Sequence, residues 1–270
     1  MFFWLNFLLT AQYLLTAVQY IIFFFTSAER SSTVARWALF SGIGLHVALL
    51  IWEGVRVHRM PLTTVFEAMS VLSFALALGY LIIEFRIHKK ALGSFVFPIV
   101  FIFQLISSIG YRMNVLDSSI IRMPVFGIHT ISSVSGYAFF IYSMILGILY
   151  LHLFSELKRK KFDIAFDRLP PLEVLDRLNS ICVLIGFVLL SIGIAGGTYM
   201  AIVIWRTFPL FDPKIFLSVV LWIIFLASII LRYVVKWSGR KMSYISLVGF
   251  FLIVLIFLVE ILTQFSVHRF

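Results

Sequence analysis

The sequence predicts an all-α, polytopic membrane protein, a bundle of about eight transmembrane helices with both termini outside. Three observations carry that expectation. The chain is 62% hydrophobic and only 13% charged, with a mean hydropathy of +1.07. A soluble domain averages about 45–50% apolar and about 25% charged residues, so water cannot accommodate this surface and a bilayer can. The apolar residues fall in continuous runs rather than in alternation, which selects helices over a transmembrane barrel. The Lys and Arg residues sit between those runs.

A helix needs about 20 mostly apolar residues to cross about 30 Å of hydrocarbon. That length places spans near 2–26, 37–55, 63–84, 91–110, 127–154, 179–203, 215–234 and 244–266. The first has no basic leading region and is too long for a secretory signal, so it is expected to stay in the mature protein. With no internal repeat and no low-complexity linker, residues 1–270 are expected to form a single membrane domain. The lone cysteine, Cys182, lies inside an apolar run, which excludes a disulfide framework and any Cys-x-x-Cys metal or redox site.

The 22 cations set the orientation. Alternate connections hold fifteen of them: Arg30, Arg36, Arg86, Lys89, Lys90, Lys158, Arg159, Lys160, Lys161, Arg168, Arg177, Arg232, Lys236, Arg240 and Lys241. The other connections hold seven: Arg56, Arg59, Arg112, Arg122, Arg206, Lys214 and Arg269. Positive charge marks the cytoplasmic side. The net charge of +10 then faces anionic lipid and gives no support to nucleic-acid binding.

The longest cytoplasmic connection, about 155–178, opens with Lys158-Arg159-Lys160-Lys161. Further on, the pair Pro170-Pro171 precedes Leu172, Leu175 and Leu178. That pattern predicts a short helix with one apolar stripe, lying on the membrane surface or docking a cytoplasmic partner.

Polar groups gather on the outer side. His129 sits at the outer end of the fifth span and His268 just past the eighth. Between them in sequence lies Trp205-Arg206-Thr207-Phe208-Pro209-Leu210-Phe211-Asp212-Pro213-Lys214. Two histidines at one expected depth, bracketing an aromatic stretch, suit a flat apolar ligand that contains iron. Imidazoles would be its axial ligands, Trp205, Phe208 and Phe211 would pack the macrocycle, and Arg206 would meet its acidic groups. An interfacial His or Trp also anchors a helix end between polar and apolar media, and the two readings stand side by side. Zinc fits less well, because no Cys, Asp or Glu joins these histidines at metal-ligand spacing.

Two further groups lie within spans. His46 is near mid-membrane, where an ionisable group defaults to a functional hypothesis; the alternative is a neutral imidazole bonded to a neighbouring helix. Glu67 follows Pro61-Leu62-Thr63-Thr64 by one turn, where a carboxylate either answers the helix dipole or pairs with an outer Arg. His58, His88 and His152 are at span ends, where anchoring accounts for them.

Taken in order, these residues resemble the HemX/CcsA group of cytochrome c assembly proteins over most of the chain. Pro61 to Glu67 resembles the family's proline-to-glutamate signature, and His129 through Gly136-Tyr137-Ala138-Phe139 its His-then-Gly-Tyr-Ala-Phe helix. Leu169 to Arg177 resembles the loop with an Asp-Arg-Leu element, and Gly196-Gly197 closes a Gly-rich sixth span. Asp212-Pro213-Lys214 resembles an Asp-Pro-Lys motif, and His268 falls where a C-terminal outer histidine belongs.

The resemblance implies haem handling at the outer membrane face. The family's Trp-Gly-x-x-Trp-x-Trp-Asp segment maps with its first Trp on Trp205 and its Asp on Asp212; the outer histidines map on His129 and His268. The family's Gly is Arg206 here, its second Trp is Pro209, its third is Phe211, and a deep histidine of the haem-lyase branch falls at Ile230. These departures place the resemblance nearer the HemX-like branch. The resulting expectation is a membrane subunit of the bacterial cytoplasmic membrane that binds or presents haem in cytochrome c biogenesis. It is expected to lack independent catalytic chemistry and to work beside a second biogenesis membrane protein or a haem-synthesis protein. The alternatives are a regulator of haem biosynthesis acting through 155–178, and a small-solute transporter. The last sits less well with a polar cluster at the interface rather than the midplane.

Overall fold

The computed structural model describes residues 2–58, 60–110, 123–203 and 213–265, and the regular structure among them is helical, joined by short turns. In chain order the helices are α1 (Phe2–Thr26), α2 (Glu29–Val57), α3 (Val65–Ile87), α4 (Gly93–Gly110), α5 (Pro124–Arg159), α6 (Ile164–Arg168), α7 (Leu172–Val203), α8 (Pro213–Tyr233) and α9 (Arg240–Phe265). A short 3₁₀ turn, Lys90–Leu92, leads into α4. All but α6 are long and apolar enough to cross a membrane, giving eight candidate spans among the described residues. The chain is a multi-pass membrane protein.

The distribution of side chains is that of a protein dissolved in lipid. The buried face of α1 is Asn6, Leu9, Thr10, Tyr13, Thr16, Ala17, Tyr20 and Phe24, at helical spacing. Its outward residues include Trp4, Leu8, Leu14, Leu15 and Val18. The polar groups Asn6, Thr10 and Thr16 therefore turn inward with the buried aromatics, while large apolar side chains also cover the outside, where water would select polar ones.

Several helices run past the ends that hydropathy suggests. α2 starts at Glu29 rather than near 37 and α5 reaches Arg159. Hydropathy stops at the first charges, whereas backbone hydrogen bonding continues through the headgroup layer into water. The short helix expected after Pro170-Pro171 is instead the start of α7, continuous to Val203. The Pro171 carbonyl accepts from Val174 and Leu175 N–H at 3.0 and 3.1 Å, so the proline pair opens the span itself and nothing interrupts it. The short helix of this connection is α6, capped by Asp163, whose Oδ1 accepts from Ala165 N–H at 2.7 Å.

By internal contacts the chain forms two compact units, Met1–Ile121 with Glu156–Pro170, and Arg122–Ser155 with Pro171–Phe270. In the first, α1 packs on α2 and α4, and α3 on α4. Its aromatic centre stacks Tyr20 on Phe97 at 5.2 Å, with Tyr80 edge-on to both. A Cβ at Gly93 would lie 2.6 Å from the Tyr20 ring, so glycine permits this close approach.

In the second unit α7 packs on α8, α8 on α9, and α5 on α7 and α9 through small residues. Gly136 faces the Gly186 carbonyl, and Phe140 lies over Gly186 while stacking on Phe225 at 3.6 Å. Asn179 Nδ2 donates to the Ser143 carbonyl at 2.7 Å and to Ser246 Oγ at 3.1 Å, tying α7 to α5 and α9.

Candidate functional site

His129 stands on α5 a little over one turn from its start, on the side facing α7. Its Nδ1 lies 2.6 Å from the carbonyl oxygen of Gly193. A carbonyl only accepts, so Nδ1 carries a proton, and in the neutral imidazole Nε2 then keeps its lone pair. That is the tautomer in which a metal-ligating histidine is held by its other ring nitrogen.

The position of the ring depends on missing side chains. A Cβ at Gly197 would lie 2.9 Å from His129 Cε1 and 3.0 Å from Nδ1; one at Gly196 would lie 3.2 Å from His129 Cβ. At Gly193 it would collide with Ser133 Oγ, one turn further along α5. The three glycines thus form a trough on α7 that receives one face of α5. Two turns deeper, buried Tyr137 places its hydroxyl 3.3 Å from Ser218 Oγ on α8 and its ring edge-on to Phe257 of α9.

The other candidates for this site, Trp205, Arg206, Phe208, Phe211, Asp212 and His268, lie outside the described residues.

His46 belongs to the first unit and is only 1% exposed. Its Nδ1 is 2.9 Å from Tyr13 OH and its Nε2 3.0 Å from Ser70 Oγ. Ser70 donates to Gln104 Oε1 at 3.2 Å, and Ser73 lies 2.8 Å from the same oxygen. Because that oxygen only accepts, the chain has one direction: Tyr13 donates to Nδ1, Nε2–H donates to Ser70, and Ser70 donates to Gln104. Gln104 Nε2 then reaches Ser108, which bonds to Thr10 at 2.8 Å. His46 is a neutral imidazole with both nitrogens engaged; it ties α2 to α1 and α3, and Ser70 carries the chain on to Gln104 of α4.

Glu67 has local partners. Its Oε2 accepts from Thr63 N–H at 2.7 Å, Thr63 Oγ1 at 3.0 Å and Thr64 N–H at 3.3 Å, while Thr64 Oγ1 accepts from Glu67 N–H. This is a capping box at the start of α3. His58 and His88 end α2 and α3 in left-handed conformation.

Two ion pairs were not singled out from sequence. Arg36 donates to Glu84 Oε1 through Nε at 2.9 Å and Nη2 at 2.6 Å, and Tyr20 OH donates to Oε2 at 2.6 Å. The signal was present: spans two and three run antiparallel, so Arg36 near the start of one and Glu84 near the end of the other share a depth. Asp176 on α7 accepts Arg232 in fork geometry, at 2.9 and 2.7 Å, and also Gly239 N–H at 2.9 Å. It thereby holds the turn between α8 and α9, where Gly239 has φ of +56° and lies against the Tyr150 ring.

A family model described as "Cytochrome C assembly protein" matches residues 1–267. The chain belongs to the cytochrome c assembly protein family. Among its relatives, the cytochrome c biogenesis protein CcsA of Guillardia theta is 25% identical over 209 residues, covering 70% of this chain and 69% of that one. The CcsA of Heterosigma akashiwo (strain NIES-293 / 8280G21-1) is 23% identical over 261 residues, covering 83% and 81%. That of Prochlorococcus marinus (strain AS9601) is 22% identical over 255 residues, covering 85% and 82%. In this member of the cytochrome c assembly family, the described residue of the candidate set built around residues 205–212 is His129 in its glycine trough.

Proposed function

We propose that this chain takes part in cytochrome c maturation by binding or presenting haem at the outer face of its membrane. The observation that carries the reading is the bond from His129 Nδ1 to the Gly193 carbonyl, which leaves Nε2 as an oriented lone pair. Family membership and relatives named for cytochrome c biogenesis support the same role. The donor chemistry fits haem iron, for which a neutral imidazole is a common axial ligand.

In this reading His129 supplies one axial ligand and His268 the other. Trp205, Phe208 and Phe211 cover the macrocycle, Arg206 meets a propionate, and Asp212 orients a neighbouring His or Arg. Haem bound there would supply the iron porphyrin that a partner cytochrome receives. The chain's own residues hold and orient it and exclude water, and no residue acts as a nucleophile. The outer placement and the two outer termini rest on the cation asymmetry, fifteen against seven. The replaced tryptophans and Ile230 support a HemX-like member, one domain of the bacterial cytoplasmic membrane working with a second biogenesis membrane protein.

The test is the absorbance of the purified protein. A Soret band that falls in His129→Ala and is partly restored by added imidazole supports the reading. Parent haem content and spectrum in both His129→Ala and His268→Ala would overturn it.

A further inference from the structure

The segment that follows α5 serves nothing in the haem reading, and its chemistry is specific. Lys158, Arg159, Lys160 and Lys161 are consecutive and exposed. α5 ends with the Lys160 N–H bonded to the Leu157 carbonyl at 3.3 Å and the Lys161 N–H to the Glu156 carbonyl at 3.2 Å, with Lys160 at φ of +52°. This is a Schellman ending with a lysine where glycine is usual. It turns the chain back on itself instead of letting the helix continue outward.

Beyond the turn the segment has two faces. Ala165, Leu169 and Pro170 are buried. Phe162, Ile164 and Phe166 are 58%, 44% and 37% exposed, with Leu157 at 43%. The Phe162 and Phe166 rings lie 4.5 Å apart and form one apolar tip. Exposed apolar side chains are ordinary on the spans of a membrane protein. They are not ordinary on a non-spanning connection beside four cations, unless that connection meets an interface with apolar interior and anionic surface.

We infer that residues 157–166 form an anionic-phospholipid-binding element. Phe162, Ile164 and Phe166 enter the headgroup and acyl boundary, while Lys158, Arg159, Lys160 and Lys161 contact lipid phosphates. A basic run beside aromatic residues is the composition that holds a segment in the plane of a charged interface. A soluble protein partner is the lesser fit. α6 has five residues, too few to fill a helix groove, and the apolar tip is two rings wide rather than a face. The inference does not depend on the haem reading or on which side of the membrane the segment occupies.

The experiment uses the full chain with Cys182→Ser and Ile164→Cys, spin-labelled at position 164. It is reconstituted in vesicles of phosphatidylcholine alone or with one third phosphatidylglycerol. Power saturation compares access of oxygen, which partitions into lipid, with access of a water-soluble nickel chelate. The expected result is several-fold greater relative oxygen access in the phosphatidylglycerol vesicles. The gain should be lost when Lys158, Arg159, Lys160 and Lys161 are all changed to Gln, and should fall at about 1 M salt, where the Debye length is about 3 Å. In the unaltered protein, amide hydrogen exchange over 161–168 should slow when phosphatidylglycerol is added, which controls for the label. Equal access in both lipids, or a gain that survives the four Gln substitutions, overturns the inference. So does a segment that stays aqueous in both vesicles and is protected only by an added soluble protein.

Discussion

His129 on α5 donates its Nδ1 proton to the Gly193 carbonyl on α7 at 2.6 Å, and Gly197 leaves room for the ring beside it. The bond selects one tautomer and aims one nitrogen. It also makes the position of the His129 ring depend on a glycine with no chemistry of its own.

Gly197→Ala is the direct test of that dependence. The new methyl would lie 2.9 Å from His129 Cε1, so the ring must turn or α5 must shift. Haem affinity should fall by about 10–100-fold, the usual effect of disturbing the group that orients a ligand. Haemin titration followed at the Soret band measures it. A Gly197→Ala protein that binds like the parent would show that the trough does not position the ring.

His129→Ala should shift any remaining haem spectrum from low-spin six-coordinate toward high-spin five-coordinate. His46→Leu should leave that spectrum unchanged, because both His46 nitrogens are already committed to Tyr13 and Ser70. Loss of haem in His46→Leu at unchanged folding would reassign the ligand.

For stability, His46→Leu should cost about 1–2 kcal/mol, since it strands the Tyr13 hydroxyl and the Ser70 oxygen away from water. Combining it with Tyr13→Phe should cost less than the sum of the two single changes. A double-mutant cycle in detergent measures the coupling, and strict additivity would mean that the Tyr13–His46 bond contributes nothing.

Asp176→Asn should destabilise the protein by about 2–3 kcal/mol, because it weakens two charge-assisted bonds to Arg232. Replacing Arg232 by Met in the same background should recover part of the loss by removing the stranded cation. Thermal unfolding of the parent and the two variants decides it, and equal melting temperatures would show that the pair is redundant.

Reporter fusions address orientation. Fusions after Lys161 and after Lys241 should report the cytoplasm, and a C-terminal fusion the outside. The inverse pattern would put His129 on the cytoplasmic side and remove the outer-face reading.

The existence, number and approximate bounds of the eight spans were legible in the sequence. Hydrocarbon demands long apolar helices whatever their neighbours, and that demand acts residue by residue. The capping box at Thr64 and Glu67 was half legible for the same reason: it is local, and its partners lie within four residues. Which polar side chains meet inside the bilayer is a different kind of fact. His46 could have been a ligand or a cross-link until Tyr13 and Ser70, 33 and 24 residues away, were seen beside its two nitrogens. Pro170-Pro171 reads as the start of a helix, but only the Asp176–Arg232 pair and the unbroken backbone showed that helix to be the sixth span. For His129, sequence indicated an interfacial imidazole among aromatics, and the trough at Gly193, Gly196 and Gly197 showed how α7 aims it. Span formation is decided by the solvent around each segment, whereas tautomer, pairing and orientation are decided by groups that only folding brings within hydrogen-bonding distance.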